Sequence, residues 1–371
     1  MGVYVMKAKE QISSAQMSVI LLCFMTGSSI VNIPGPLIGY AKNGAWISLL
    51  LSLSVGMMLL SCILYLYRKF PDLTFIEYSR ALVGNLVTIL LAVPFISFQF
   101  HMTSGIVLDI GLFMTNSMMR QTPLVLFIFP IFFVVALTVR SGIEAMARMF
   151  FIPIVIVLLS TIIILLLSIP NYQVEHLFPI LPDGIRPVVL GAYFSYGFPY
   201  VELMLITMLL PYVRKEGRPN LKKGLYIALL VNGFFLIAVT LSTILVFGPL
   251  AGERLYSMFE VARTVDLLEV IQRIESLIGI SLILTAYMKA VITLFILNLT
   301  FTKLFNLQDD RILVFPLALT CFLFSLQQIE KGGAFWINAV TVIHPLWATF
   351  AYALPLLVIV IAAVLRTTPR Y

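Results

Sequence analysis

Residues 26–36 read Thr26-Gly27-Ser28-Ser29-Ile30-Val31-Asn32-Ile33-Pro34-Gly35-Pro36, and they interrupt the first long apolar run of the chain. Gly27 gives the backbone extra conformational freedom, and two serine hydroxyls follow it. Pro34 and Pro36 lack a backbone N–H and bias the residues before them away from helix. Within a bilayer, such an interruption is tolerated only where protein or a water-filled cavity covers it. The segment therefore predicts a broken membrane helix beside a cavity.

The composition identifies the bilayer as the surrounding solvent. Of the 371 residues, 61% are hydrophobic and only 11% are charged, whereas soluble domains average about 45–50% and about 25%. This excludes a soluble multidomain protein, a disordered chain and a disulfide scaffold. A net charge of +7 does not make such a chain a nucleic-acid binder. The three cysteines all fall within apolar runs without metal-ligand spacing, so we interpret them as packing residues.

The apolar runs predict an all-α polytopic membrane protein with ten spans. A helix needs about 20 residues to cross about 30 Å of hydrocarbon. The spans are 13–33, 44–67, 84–113, 123–139, 145–169, 187–210, 224–248, 274–300, 312–328 and 338–364. We find no cleavable signal peptide, and the loops are too short for an inserted domain, so residues 1–371 form a single transmembrane domain.

The distribution of cations predicts that both termini are cytoplasmic. With ten spans, both termini face one side. Sixteen of the 24 Lys and Arg residues lie on the side of the N-terminus and seven on the other, and Lys289 lies within a span. The positive-inside rule then makes the N-terminal side cytoplasmic. The densest cluster, Arg214 to Lys223, is either a contact with anionic lipid headgroups or an ordinary topology signal.

A second interruption lies five spans after the first. Residues 193–202 read Tyr193-Phe194-Ser195-Tyr196-Gly197-Phe198-Pro199-Tyr200-Val201-Glu202. Broken helices at matching positions of two halves are typical of inverted-repeat transporters, with a small-molecule site near the midplane. We therefore predict a 5+5 fold with broken helices one and six, repeat one covering about 13–169 and repeat two about 187–364. The alternative is that Gly and Pro are simply more frequent in membrane helices.

Three ionisable residues fall well within spans: Asp109, Glu202 and Lys289. A buried charge in a membrane usually pairs with another or lines a cavity. One hypothesis is that Glu202 and Lys289 pair, or that one of them contacts the charged end of a ligand. The alternative is a structural ion pair or a group that reaches an interface. His101 and Gln99 suggest an inward-facing polar stripe, or a simple packing role.

Two connecting segments have helical patterns of their own. Residues 70–83 resemble a short interfacial helix. Thr74 and Glu77 have the spacing of a capping box, but the apolar run after them is too short for us to assign one. Residues 253–273 have apolar positions at helical spacing, so we expect them to lie flat on the outer surface. This segment is a gate over the pocket, a docking face or a plain amphipathic connector.

Together these features resemble a known family, the B subunits of bacterial spore nutrient-germinant receptors. These endospore germination permeases are a branch of the amino acid–polyamine–organocation transporter superfamily. The matching segments are Ser13-Ser14-x-Gln16, Gly27…Pro34, Trp46, Phe70-Pro71, Thr122-Pro123, Gly142-Ile143-Glu144-Ala145-Met146-Ala147-Arg148 with Pro153, Phe198-Pro199-Tyr200-Val201-Glu202 and Ile271-Gln272-Arg273-Ile274-Glu275. Each is weak alone, but their order across ten spans is fairly specific.

The resemblance implies a location, partners and a pocket. It implies the inner membrane of the dormant spore, a receptor shared with a larger membrane A subunit and a lipoprotein C subunit, and a nutrient ligand that is typically an amino acid. Carried over by position, the ligand-binding residues are Thr26, Gly27, Ser28, Ser29, Phe98, Met102, Tyr196, Gly197, Glu202, Thr285 and Lys289. Gly27-Ser28-Ser29 departs from the Gly-Ala-Gly frequent in the superfamily, and Gln272 stands where the family often has Glu. Because of these two departures, the resemblance does not identify the ligand.

The leading functional hypothesis is a ligand-sensing receptor subunit built on a transporter fold. Ligand closure around the broken helices would shift a population that already exists. The alternative is a secondary transporter for an amino acid or amine. An enzyme is not expected, because no catalytic constellation, metal site or cofactor pattern occurs at a plausible spacing. Fold alone does not separate receptor from transporter.

Overall fold

The protein is almost entirely helical. The computed structural model describes residues 10–27, 29–265, 273–330 and 339–366. Within these residues the repeating structure is α, 3₁₀ and π helix, with one isolated bridge between Ile12 and Val213. The predicted ligand-binding residue Ser28 lies outside the described residues, as do Ile271 and Gln272 of the last family segment.

Sixteen α-helices of the described chain are numbered here in chain order. They are α1 Ser14–Thr26, α2 Ser29–Asn32, α3 Pro34–Ala41, α4 Ala45–Lys69, α5 Phe75–Val83, α6 Asn85–Phe113, α7 Val125–Arg140, α8 Ile143–Met149, α9 Phe151–Leu167, α10 Ile185–Ser195, α11 Arg218–Phe247, α12 Ser257–Arg263, α13 Glu275–Phe305, α14 Val314–Glu330, α15 His344–Ala348 and α16 Leu354–Leu365.

The ten predicted spans all have helical counterparts. In the described part of the chain, eight helical stretches are long and apolar enough to cross a membrane. Two shorter apolar helices, α7 and α14, occupy the positions predicted for spans four and nine. The chain is therefore an integral, multi-pass membrane protein.

The first predicted span, 13–33, corresponds to the helical stretch Ser14–Asn32. Hydrogen bonds from Ile33 N–H to the Ser29 carbonyl and from Leu37 N–H to the Ile33 carbonyl connect this stretch to α3, which the sequence did not predict and which ends at Ala41. Pro34 is the first residue of α3, a position that suits proline because its fixed φ is already helical. The interruption at Gly27 thus separates α1 from a second helical part of similar length, formed by α2 and α3.

Loops predicted for the same side of the membrane meet at one end of the molecule. Ile12 bridges to Val213, and a Glu10 carboxylate oxygen accepts the Ile143 N–H at 2.8 Å. Nearby, Lys303 Nζ at the end of α13 donates to Glu77 Oε1 at 2.7 Å. These contacts agree with the alternating topology predicted for ten spans.

Helix α5 is the short helix predicted between spans two and three. It is packed against the bundle, with Phe75, Ile76, Tyr78 and Leu82 buried. The prediction that Thr74 and Glu77 do not form a capping box is wrong, because Glu77 Oε2 accepts the Thr74 N–H at 2.8 Å. The carboxylate satisfies a free N–H group at the helix start whatever the length of the apolar run behind it.

The outer segment after span seven is packed into the protein and does not lie flat on its surface. Helix α12 is short and buries five of its residues, among them Phe259. The rings of Tyr256 and Phe259 each meet the Phe113 ring at 5.1 Å between centroids. The expectation of a surface-lying amphipathic segment is therefore wrong for the described residues of this loop. Aromatic packing against α6 explains the burial.

Candidate functional site

The first interruption separates α1 from α2, and a serine hydroxyl bonds to the backbone carbonyls at the end of α1. Ser29 Oγ donates to the Met25 carbonyl at 2.7 Å and lies 3.2 Å from the Thr26 carbonyl. These carbonyls lose their usual partners where the helix breaks, so the hydroxyl satisfies a group that would otherwise be costly to bury. A polar side chain after a glycine thus stabilises the break.

The second interruption lies in span six, as predicted. Helix α10 ends at Ser195, and Phe198 has an extended backbone with φ −146° and ψ 111°. The chain then continues as a 3₁₀ helix from Val201 to Met208. Glu202 lies in the first turn of this second half, where a helix N-terminus favours negative charge.

A buried ion pair joins the interruption in span six to span eight. Lys289 Nζ donates to Glu202 Oε2 at 2.6 Å, and both side chains have zero exposure. The ammonium also lies 4.2 Å from the centroid of the Phe198 ring and 5.2 Å from that of Phe24. These cation–π contacts partly replace lost hydration. The hypothesis that Glu202 and Lys289 pair is confirmed as a contact.

Glycine at position 27 makes room for the lysine stem. A Cβ added to Gly27 would lie 2.7 Å from Lys289 Cδ and would overlap Lys289 Cβ. Real Cβ atoms do not approach other carbons so closely. The lysine therefore contacts span one at its break while it pairs with span six, and it connects the two broken helices.

Span ten closes the site from the other side. His344 Nε2 lies 3.3 Å from Glu202 Oε1, and its ring meets the Phe98 ring at 4.7 Å between centroids. Pro345 packs directly on Gly197, where an added Cβ would lie 2.8 Å from Pro345 Cγ. The second broken helix is thus held against span ten through a glycine contact.

A small cavity lies beside the ion pair. Its volume is about 30 Å³, and it is lined by His101, Met102, Gly105, Ile106, Asp109, Phe198, Glu202, Lys289, Val340 and His344. A second carboxylate, that of Asp109, accepts a hydrogen bond from Asn32 Nδ2 at 3.1 Å. Ligand pockets usually measure about 300–1,000 Å³. In this conformation the site is therefore closed, with room for about one water molecule.

The structure gathers some of the predicted ligand-binding residues and separates others. Met102, Glu202 and Lys289 line the cavity, while Gly27 and Phe98 lie directly behind it, on Lys289 and on His344. Thr26 is buried next to the break.

The remaining predicted residues make other contacts. Thr285 Oγ1 donates to the Ser281 carbonyl of its own helix at 2.8 Å. Tyr196 stacks on Tyr193 with ring centroids 6.0 Å apart. Neither residue lines the cavity in this conformation. Their role as ligand-binding residues stays a prediction.

Sequence reasoning missed His344, Asn32 and the ring of Phe198. Asn32 follows the first break within the segment quoted first, and Phe198 follows Gly197, so both were within reach as neighbours of the interruptions. His344 had a weaker signal, a histidine before a proline at the start of a membrane helix. Among the described residues, no cluster of three or more His, Cys, Asp and Glu side chains could hold a metal ion.

The two broken helices and the closed site between them define the fold of this protein as that of inverted-repeat membrane transporters. A Na⁺-coupled sialic acid symporter, in its substrate-bound outward-open state, matches with a TM-score of 0.68 and 10% identity, over 92% of this chain and 78% of that one. Mhp1, a nucleobase-cation-symport-1 family transporter, matches at 0.62 and 11%, over 96% and 93%. MhsT in complex with L-phenylalanine matches at 0.58 and 12%, over 96% and 99%. These likenesses show the fold.

The sequence then places the chain within one family of that class. Residues 11–331 match the family described as "Spore germination protein", and the chain belongs to that family. It is 24% identical to spore germination protein KB of Bacillus subtilis over 324 residues, 86% of this chain and 85% of the relative. It is 25% identical to spore germination protein YndE of the same organism over 362 residues, 95% and 96% of the two chains.

Proposed function

We propose that this protein is a membrane subunit of a spore germinant receptor and that it binds a small nutrient, an amino acid, between its two broken helices. The observation that carries this proposal is the Lys289–Glu202 pair. It is fully buried, lies at both interruptions and lines the midplane cavity. Replacing a buried ion pair by apolar residues is often neutral or stabilising, so a charged pair inside membrane-spanning helices suggests a functional role rather than a structural one.

The charges of the site suit a zwitterion. An amino acid offers a carboxylate to Lys289 and an ammonium group to Glu202. Its entry between the two side chains would exchange one ion pair for two, so that neither Lys289 nor Glu202 would be left without an opposite charge. A ligand with a single charge would leave Lys289 or Glu202 without its partner, at a cost of several kcal/mol.

The small volume of the cavity implies movement on binding. A cavity of about 30 Å³ does not hold an amino acid, so the pair must separate and the broken helices must shift before the ligand enters. A ligand that binds only the opened form shifts the population toward it. This shift, passed to partner subunits, would be the germination signal.

Membership of the spore germination family supports a proposed location and proposed partners. We propose that the protein lies in the inner membrane of the spore with both termini in the cytoplasm. It would work there with an A-type membrane subunit and a C-type lipoprotein subunit. The packed outer segment around α12 contacts span one and span eight, so it is a suitable surface to report movement of the site to the C-type lipoprotein.

A secondary amino acid transporter is the second candidate. The likeness to Na⁺-coupled and cation-coupled symporters favours it, since the same fold moves solutes in those proteins. The two functions differ in one property: a transporter releases its ligand on the opposite side of the membrane, whereas a receptor subunit needs only to bind it.

Purified protein in liposomes separates the two. Labelled amino acids are tested individually for saturable binding and for uptake into the vesicles, with Glu202→Gln as the site variant. Glu77→Gln, an acid outside the spans, is the matched control. The proposal predicts binding without concentrative uptake, lost in Glu202→Gln and kept in Glu77→Gln. Concentrative uptake by this chain alone would contradict the receptor function.

A further inference from the structure

A second cavity opens on the lipid-facing side of the bundle, away from the midplane site. It is a groove between α7 and α14 with a volume of about 480 Å³, here called the α7–α14 groove. Phe129 and Phe133 on α7 and Leu319 on α14 form its walls and are 55%, 53% and 56% exposed. The side chains that line it are all apolar. Because its lining is apolar and it faces the bilayer, we expect an apolar group to occupy the groove.

One end of the groove carries a cation. Arg140 follows the lining residues Phe129, Phe133 and Ala136 at helical spacing, so it continues the same face of α7. Its guanidinium lies 5.7 Å from the centroid of the Phe315 ring, which also lines the groove. Within the described residues, Arg140 has no carboxylate partner at salt-bridge distance, although Arg148 and Arg311 nearby pair with Glu144 and Glu10.

The distance from the far end of the groove to Arg140 matches one leaflet. From Phe129 to Arg140 the helix rises about 16 Å at 1.5 Å per residue, which is close to half of the roughly 30 Å hydrocarbon thickness. A transmembrane helix of a partner protein would cross both leaflets. An acyl chain that descends from a headgroup at Arg140 spans only this one.

We propose that the α7–α14 groove binds an acyl chain of an anionic phospholipid whose phosphate contacts Arg140. The planar guanidinium binds phosphate oxygens through two parallel hydrogen bonds. A lipid with a net negative headgroup is preferred to a zwitterionic one, because it supplies the counter-charge that Arg140 lacks.

The groove is connected to the midplane site through α14. Ser325 Oγ on α14 donates to the Ser104 carbonyl of α6 at 2.8 Å, and Gln328 Nε2 donates to Ser104 Oγ at 2.9 Å. Gly105, the next residue of α6, lines the midplane cavity. A lipid that holds α14 in place therefore also supports the wall of that cavity.

The test uses fluorescence quenching in mixed vesicles. The variant Leu319→Trp places a reporter in the groove, and Leu159→Trp, at a lipid-facing position of α9 that is 54% exposed, reports on the bulk bilayer. Each variant of the full chain is reconstituted in phosphatidylcholine with phosphatidylglycerol, with bromine on the chains of one lipid at a time. The signal of the native tryptophans, measured in the parent chain, is subtracted from that of each variant.

The proposal predicts that phosphatidylglycerol quenches the groove reporter with about fivefold preference over phosphatidylcholine, as expected for one cation at an anionic lipid. Leu159→Trp shows no preference. Arg140→Gln abolishes the preference, while the matched control Arg148→Gln keeps it. Equal quenching by both lipids, a preference that survives Arg140→Gln, or a groove reporter that neither lipid reaches would each overturn the proposal. The last outcome would indicate that protein closes the groove.

Discussion

Two lysine–glutamate pairs on the same helix show how burial changes the role of a charge. Lys289 and Lys303 both lie on α13, and each donates to a glutamate, at 2.6 Å to Glu202 and at 2.7 Å to Glu77. The first pair has zero exposure on both sides. The second pair is 35% exposed at the lysine and 30% at the glutamate, near the end of the helix.

The difference between the two pairs lies in their cost and not in their geometry. A partly exposed pair keeps part of its hydration and contributes about 0–1 kcal/mol. A fully buried pair loses its hydration, and its attraction only roughly compensates for that loss. The partly exposed Lys303–Glu77 pair, here called the outer pair, therefore serves structure. The buried Lys289–Glu202 pair, here called the inner pair, is better explained by a function that needs buried charges between the broken helices.

The largest effect is expected from breaking the inner pair on one side. Glu202→Gln or Lys289→Met alone leaves a buried charge without its partner, so each should lower the free energy of unfolding by about 3–5 kcal/mol. The double variant removes both charges and should recover much of that loss. Unfolding of the purified protein in one fixed detergent measures all four proteins.

The double variant also separates stability from function. We expect it to be folded but unable to bind the ligand, because the ligand would exchange with those same two charges. If the losses of stability in the single variants add in the double variant, Glu202 and Lys289 do not act as a pair.

A smaller effect is expected from crowding the inner lysine. Gly27→Ala places a Cβ against the Lys289 stem, and overpacking of this kind costs about 1–3 kcal/mol. Gly39→Ala in the same span is the control, since its Cβ would meet the Gly252 carbonyl oxygen at an ordinary 3.4 Å. Thermal unfolding and ligand binding are compared for the two variants, and equal behaviour would show that the lysine does not depend on Gly27.

The outer pair should tolerate the same changes. We expect Glu77→Gln and Lys303→Met to cost less than about 1 kcal/mol each, and glutamine at position 77 still accepts the Thr74 N–H. Ligand binding should not change. Losses as large as those at Glu202 and Lys289, measured in the same detergent, would remove the distinction between the two pairs.

The smallest effect is the pH dependence of the outer pair. Burial would raise the pKa of the Glu77 carboxyl, but hydrogen bonds from Lys303 and Thr74 outweigh burial and hold that pKa below its ordinary value. The unfolded chain has a glutamate pKa of about 4.3, so the contribution of Glu77 is complete above that pH. It is lost as the pH falls through the lower folded pKa.

Unfolding of the parent chain and of Glu77→Gln across this range checks the sign. The difference in stability between the two proteins should be largest near neutral pH and should vanish in acid. A difference that grows in acid would mean that the protonated carboxyl is the stabilising form.

The fold could be predicted from the sequence because the patterns that indicate it extend over many residues. Ten apolar runs and two interruptions five spans apart were enough to predict the helices and the broken pair. The continuation of span one to Ala41 was missed, because a proline that begins a helix and a proline that ends one look alike in sequence. The packing of α12 was missed as well, since apolar positions at helical spacing do not tell protein from lipid as their neighbour.

Only some residues of the site could be predicted from the sequence. Glu202 and Lys289 were found because charges within spans are rare, and a pair was a natural hypothesis. His344 was not found, because its place at Glu202 depends on how span ten packs on Gly197 through Pro345. The small volume of the cavity also depends on packing, so the closed state of the site could be learned only from the structure.

The most direct test of the central claim is equilibrium binding of labelled amino acids to the purified chain, with the inner and outer acids compared. For an amino acid that the parent chain binds, we expect Glu77→Gln to keep the affinity and Glu202→Gln to weaken it at least tenfold while the protein remains folded. Saturable binding of unchanged affinity in folded Glu202→Gln would contradict the claim that the buried pair is the ligand site.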